Sequence, residues 1–166
     1  AVNLLGEQYR LAGFPEVEMQ PCWAVMTVFD RPLEVAFDGA FVHHPELAWA
    51  ARNASKPGRP AEEAWVLHAT HGWSAGKLAE MPERVAEELV TVFLRLTRGQ
   101  ATPVFSRAHL WRYAAAQNPL KDGHLWDPER KFGLCGDWCH LSRVEGAFLS
   151  GAALVGRVLG LAGSEP

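Results

Sequence analysis

The chain is poor in cysteine, with three in 166 residues. An odd and low count excludes a disulfide scaffold and makes a reducing cytoplasm the expected compartment. An excess of one charge is also lacking. Sixteen basic against nineteen acidic side chains leave a net charge of −3, so nothing directs the protein to nucleic acid or to an anionic membrane. Long apolar runs are missing too. The best candidate, 146–162, is broken by Arg157 and carries four glycines, short of the roughly 18 apolar residues of a bilayer span. The opening AVNLLGEQYRLAGF has no basic leader before an apolar core, so it does not read as a secretory signal. No strand–GxGxxG–helix unit is present: Gly156, Gly160 and Gly163 have the wrong spacing. Gly72 to Lys77 is one residue short of a Walker loop and lacks its Ser/Thr. Repeats and low-complexity tracts are absent.

What is present is an ordinary soluble composition, 48% hydrophobic and 21% charged, long enough for one domain or one and a half. Leu4, Leu5, Tyr9 and Leu11 read as the tail of a helix that begins abruptly, as in a chain cut into. CWAVMTVF (22–29) is apolar on both alternate faces and predicts a strand covered on both sides. Asp38-Gly39 predicts a hairpin turn within 31–44. Residues 47–60 run from a short strand into a polar Pro/Gly loop, and 63–70 predict another strand. Over 81–99, Val85, Leu89, Val92, Phe93 and Leu96 form a helical stripe, with Pro82 and Glu83 at its start and Gly99 as its left-handed stop. The strand 102–114 has unlike faces: Phe105, Arg107, His109, Trp111 and Tyr113 on one, Ser106, Ala108, Leu110, Arg112 and Ala114 on the other. A last strand over 131–137 and a helix over 144–161 complete an α+β order with a largely antiparallel sheet.

The segment LCGDWCHLSRVEGAFLSGAAL (134–154) concentrates the chemistry. Cys135, Cys139 and His140 offer a metal spacing without a second ligand pair. His68 and His71, read as one strand, face opposite sides. Three residues between the cysteines do not match a thioredoxin-type pair. The backbone offers more. Gly136 lets the chain approach a ligand closely, Asp137 lies at a strand's C-terminal end, and a helix begins near Arg143, Val144 and Glu145. Free N–H groups at such a start suit a phosphate or an electron-rich carbonyl. Asp137 as a mere cap, with the small residues of the helix only packing, remains an equal alternative on local chemistry.

GLCGDWC…RVEGAFLSG resembles the C-terminal FAD-binding segment of flavin-dependent amine-oxidase-like proteins, and the renalase-like group of NAD(P)/FAD-dependent oxidoreductases in particular. PCWAVMTVFD, WAARNASKPGRP, EAWVLHAT, LWRYA and LWDPERKFGLCGDWC extend the similarity over nearly the whole chain. The resemblance implies a substrate-domain sheet over 1–130 and, over 131–166, a strand and helix that would complete a Rossmann-type FAD domain. The first half of such an enzyme is missing, so either the chain is truncated or another chain or a homo-oligomer supplies the rest. The implied cofactor is FAD, with Asp137 on its ribityl–pyrophosphate part and the N–H groups near Arg143, Val144 and Glu145 facing the ribityl side and pyrimidine edge. Gly136 gives access and Trp138 shields the flavin edge. Lys56 would steer oxygen or water, and Trp111 and Tyr113 would flank a flat small-molecule substrate, an amine or a reduced nicotinamide species. Hydride transfer needs little acid–base machinery from the protein. The alternative function is a non-catalytic remnant or interaction module that pairs with a separate dinucleotide-binding chain.

Overall fold

The computed structural model describes residues 17–160; the helix tail expected around Leu4–Leu11 lies outside them. The described residues divide into two compact units, Met19–Ala115 and a second one made of residues 17–18 and 116–160. The first unit holds β1 (Met19–Phe29), β2 (Gly39–Phe41), β3 (Leu47–Arg52), β4 (Ala64–Ala69), α1 (His71–Ala75), α2 (Pro82–Thr97) and β5 (Pro103–Ala116), whose last residue crosses the boundary. The sheet order is β2-β3-β4-β1-β5. The pairs β2–β3, β3–β4 and β4–β1 are antiparallel. So is β1–β5: the Asp30 N–H donates to the Thr102 carbonyl at one end, and the Gln117 N–H to the Glu18 carbonyl at the other. The result is the expected α+β class.

One face of this sheet makes the core. Trp23, Val25 and Phe29 of β1, Trp65 and Leu67 of β4, and Ala108 of β5 pack with Val85, Leu89, Val92 and Phe93 of α2. The Phe93 ring lies 5.0 Å from that of Trp65. Burying a whole stripe of such side chains is what holds α2 to the sheet, at about 1.5–3 kcal/mol for each large one. Leu96, expected in the stripe, is exposed instead. Pro82 and Glu83 do open the helix. Its stop differs from expectation. Arg98, not Gly99, is left-handed, at φ 53°, and the Gly99 N–H closes back on the Leu94 carbonyl at 2.9 Å, a Schellman arrangement. Gly99 serves close approach: a Cβ there would lie 2.7 Å from a Leu33 methyl.

Two other expectations are corrected. Asp38-Gly39 is not a hairpin turn. Gly39 opens β2 and pairs with Ala51, so the chain reverses over 42–46, where Pro45 cannot join a ladder. The Asp38 carbonyl accepts the Arg52 N–H at 2.7 Å. Nor is β1 covered on both sides along its length. Cys22 and Ala24 are buried, but Met26 on the same face is 45% exposed.

In the second unit β6 (Leu125–Asp127) and β7 (Phe132–Leu134) form an antiparallel pair. The Asp127 carboxylate accepts from the Glu129 and Arg130 N–H groups and from the Arg130 guanidinium, and these bonds hold it below the usual carboxylate range. The strand expected over 131–137 is thus three residues long. A 3-10 turn (Asp137–Cys139) leads to α3 (Val144–Val158), and Leu154 of α3 lies over Gly133.

Candidate functional site

Register decides what the second face of the sheet carries. Ala24 pairs with His68 and Met26 with Val66, while Trp49 pairs with His68 and Ala51 with Val66. Directly opposed residues share a face. Thr27 and Ser106 meet on the core face, with 2.9 Å between hydroxyls, which leaves Phe105 and its odd-numbered neighbours on the other. Phe105, Trp111 and Tyr113 are 52%, 58% and 79% exposed; Arg107 and His109 between them are also exposed. The His109 and Trp111 rings meet edge to face at 4.6 Å. Trp49 and His68, both half-buried, lie at 5.3 Å. Burial holds the His68 imidazole below its ordinary range, and the charge of His71 adds to this, so His68 is neutral at physiological pH. The face is therefore aromatic and apolar, with cations only on β5 and no acidic residue on the strands β1, β4 and β5.

Lys56 is elsewhere. It is exposed and follows a 3-10 turn (Asn53–Ser55) after β3, at the end of the sheet where β1 finishes and β5 begins. Trp111 and Tyr113 belong to the latter half of β5, three strand positions away in the sheet order, or about 14 Å across the strands alone. The structure brings Trp111 and Tyr113 together and leaves Lys56 apart from both.

Gly136, Asp137, Trp138, Arg143, Val144 and Glu145 lie together in the second unit. Gly136 donates its N–H to the fully buried Ser150 hydroxyl at 2.9 Å, tying the turn to α3. The Trp138 ring folds back on Gly136: a Cβ there would lie 2.5 Å from the indole nitrogen. The Asp137 carboxylate is half-buried and has no side-chain hydrogen bond among the described residues. Arg143 is the N-cap of α3 in extended conformation, with no side-chain cap bond. The first-turn N–H groups are thus open, and Val144 is 91% exposed. Glu145 already supplies a carboxylate to that turn.

His71 does not continue the β4 strand. It begins α1, capped by Thr70, whose hydroxyl accepts the Trp73 N–H at 3.2 Å. No cluster of three His, Cys, Asp or Glu among the described residues has the arrangement of a metal site. Cys139 is fully buried, and desolvation pushes its thiol up to about 11, so it stays protonated at neutral pH. Cys22 is buried and raised in the same direction, while Cys135 is exposed. In the intact protein a thiol reagent is expected to react quickly with Cys135 alone. Rapid reaction of two or three thiols before unfolding would contradict this arrangement.

Sequence reasoning weighed His68 only as a metal ligand and did not bring Trp49, His68 and Met26 to one face. The alternation in 22–29 carried a signal for Met26; Trp49 and His68 needed the register. A groove of about 450 Å3 lies between α2 and the start of β5, lined by Glu83, Glu87, Val90, Leu94 and Pro103 among others, and none of the expected site residues borders it. No helix of the described residues is long and apolar enough to cross a membrane. A scan against models of known protein families finds none that matches this chain.

Proposed function

We infer that the chain is the substrate-side sheet and the last cofactor-binding segment of an FAD-dependent oxidoreductase of the amine-oxidase or renalase-like kind. The observation that carries this reading is the exposed part of the sheet's second face on β5, where Trp111 and Tyr113 stand on one side of the strand, 58% and 79% exposed. A flat ring stacked there gains aromatic contact area and offset stacking. In that role Trp111 and Tyr113 orient the reduced substrate, neutral His68 adds no charge, and the apolar Met26, Val28 and Val66 keep water from the reacting face.

The residues of the second unit fit part of FAD. Asp137 has an unspent acceptor for ribityl hydroxyls, and the uncapped start of α3 offers N–H groups beside it. Because Glu145 already occupies the positive helix end, those N–H groups suit hydroxyls and a pyrimidine carbonyl better than a phosphate. Among the described residues nothing is built to hold the ADP half. FAD held there would supply the hydride acceptor for the reduced substrate, and its reoxidation by oxygen would give hydrogen peroxide. Lys56 acts at a distance, as a steering charge for an anion or for water entering the site.

The test is a visible spectrum of the purified chain followed by FAD titration, read by flavin fluorescence. Saturable quenching is expected. Asp137→Ala should lose hydrogen bonds to a charged acceptor, about 1.5–3 kcal/mol, a weakening of Kd by roughly ten- to a hundredfold. A colourless chain that leaves flavin fluorescence unchanged would reject the reading. It would favour an interaction module instead, for which the specific observation is α3: Phe148, Val155, Val158 and Leu159 are all more than half exposed, a face that strong binding of a hydrophobic dye would report.

A further inference from the structure

The segment between β7 and α3 holds two free cysteines, Cys135 exposed and Cys139 fully buried. The backbone brings them together. The Cys139 thiol points at the Leu134 carbonyl oxygen, 4.0 Å away. That oxygen belongs to the peptide unit that ends at the Cys135 Cα, about 3 Å from it. On the other side, the Ser150 hydroxyl lies beside the Cys139 thiol and favours its charged form. The same hydroxyl accepts the N–H of Gly136, the residue after Cys135, at 2.9 Å. The buried sulfur is thus held by groups that flank Cys135 on both sides. The two side chains also share a side of the strand. A Cβ at Gly133 would lie 2.5 Å from a Leu154 methyl, so position 133 faces α3, and Cys135, two residues on, continues that side. Ser150 and Leu154 are neighbours one turn apart on α3, so Cys135 projects toward the stripe against which Cys139 is buried. We propose that Cys135 and Cys139 are an oxidation site, closing to a reversible disulfide by exchange with a small-molecule disulfide such as oxidised glutathione.

The Cys135 thiolate attacks one sulfur of the small disulfide and expels the other half as a thiol. Cys139 then gives its proton to solvent and attacks the Cys135 sulfur, which expels the second small thiol. The protein pair loses two hydrogens and two electrons, and the small disulfide is reduced to two thiols. Exposure makes Cys135 the point of entry. Cys139 is the slower partner. Burial pushes its thiol up to about 11; the Ser150 hydroxyl opposes this, and the charges of Cys135, Asp122 and Asp137 add to it. Closure therefore speeds up as pH rises toward that value. The loop to be closed is short and bent: the Cys139 N–H donates to the Gly136 carbonyl at 3.0 Å, and the His140 N–H to the Asp137 carbonyl at 3.1 Å. A disulfide across such a loop is the kind that free thiols reduce again, which makes the site a switch rather than a staple.

The disulfide stands without the oxidoreductase reading. Its link to the cofactor rests on that reading: closing the bond draws Cys135 inward, strains the Gly136–Ser150 bond and shifts Asp137, so oxidation weakens FAD binding.

The test treats the whole chain with oxidised glutathione, then alkylates it in denaturant and reads it by mass spectrometry. Trypsin releases 132–143 as one peptide that carries both cysteines. That peptide is expected to be unalkylated and two hydrogens lighter, with the alkylated thiols of the chain falling from three to one, Cys22. Reduction should restore all three. Cys139→Ser is expected to keep glutathione on Cys135, and Cys135→Ser to leave Cys139 a free thiol. If Cys139→Ser does not fold, the wild-type peptide and the exposed Cys135→Ser variant decide alone. A wild-type peptide that keeps both thiols, or that holds glutathione on Cys135 without closing, overturns the proposal. So does a disulfide between chains or to Cys22, or a Cys135→Ser variant whose Cys139 takes up glutathione. An oxidised chain that binds FAD as tightly as the reduced one rejects the link to the cofactor. A closed disulfide in a chain that never binds FAD rejects the function reading alone.

Discussion

Replacing Glu63 by alanine is expected to cost the Met19–Ala115 unit about 3–5 kcal/mol, the amount lost when one partner of a buried ion pair is removed. Glu63 is only 8% exposed. Its Oε1 accepts the Leu33 N–H at 3.1 Å and the Trp65 indole N–H at 2.8 Å, and lies 3.6 Å from the Arg52 guanidinium. That guanidinium rests over the Trp65 ring, 5.0 Å from its centre, and donates to the Leu33 carbonyl at 3.3 Å. One carboxylate therefore fixes the loop before β2, the end of β3 and the start of β4. Alanine leaves the buried Leu33 and Trp65 donors without an acceptor and the half-buried Arg52 cation with only the exposed Asp38 carboxylate, 3.7 Å from its Nε. Glutamine keeps an acceptor oxygen but not the charge, and should cost about 1–2 kcal/mol. The double variant Arg52→Met, Glu63→Leu removes both charges and should recover most of the loss. Urea unfolding followed by tryptophan fluorescence measures all three. A change below about 1 kcal/mol for Glu63→Ala would mean that water replaces the carboxylate, and that the network does not hold these segments.

Glu63 also shows what kind of information the sequence withholds. The parts legible in advance were those that depend on local period: the apolar stripe of α2, its Pro82 and Glu83 start, and the unlike faces of β5. The parts that were not legible depend on a distant partner. The strongest turn dipeptide, Asp38-Gly39, is held as the entry to β2 because Arg52 bonds the Asp38 carbonyl. The end of α2 is set by Leu33, which occupies the space beside Gly99, so the left-handed residue falls on Arg98, where it costs about 1 kcal/mol. The five residues of α1 are too few to form a helix alone. They are fixed by the Thr70 cap and by the buried Ser74 hydroxyl, which accepts the Trp23 N–H at 3.0 Å.

The candidate site follows the same division. Trp111 and Tyr113 share a face by parity alone, and the turn at Gly136 with the start of α3 is contiguous in sequence, so both could be read without a structure. Trp49 and His68 could not. Their meeting depends on a register irregularity between Leu47 and Trp49 in the β3–β4 pair, and slipping a strand by one residue turns every side chain to the other face. The position of Lys56 also depends on strand order. The polar loop that carries Lys56 follows β3 and lies at the end of the sheet where β5 begins, away from the latter half of β5.

Two glycines of α3 are expected to respond to alanine with opposite signs. In an exposed helix, alanine gains about 0.5–1 kcal/mol over glycine, because less backbone freedom is lost on folding. Gly151 meets that condition: a Cβ there finds no atom within 4 Å. Gly146 does not. Its Cβ would press into the Leu141 carbonyl oxygen, with the Leu141 nitrogen at 2.9 Å and carbonyl carbon at 3.0 Å. These are backbone atoms of the tight turn that feeds the helix, and the Arg143 N–H already donates to the same Leu141 oxygen. No side-chain rotation relieves that contact, so Gly146→Ala should cost about 1–3 kcal/mol as an overpacking change while Gly151→Ala stabilises. Because α3 must shift to admit the methyl, Gly146→Ala should also disturb the Gly136–Ser150 bond and, if the chain binds FAD as proposed, weaken that binding in parallel with Asp137→Ala. Gly151→Ala should leave flavin binding unchanged. Thermal unfolding of the pair decides the matter. If both variants move the midpoint in one direction, the first turn of α3 is not seated on Leu141, and the open N–H groups beside Asp137 lose the support that positions them.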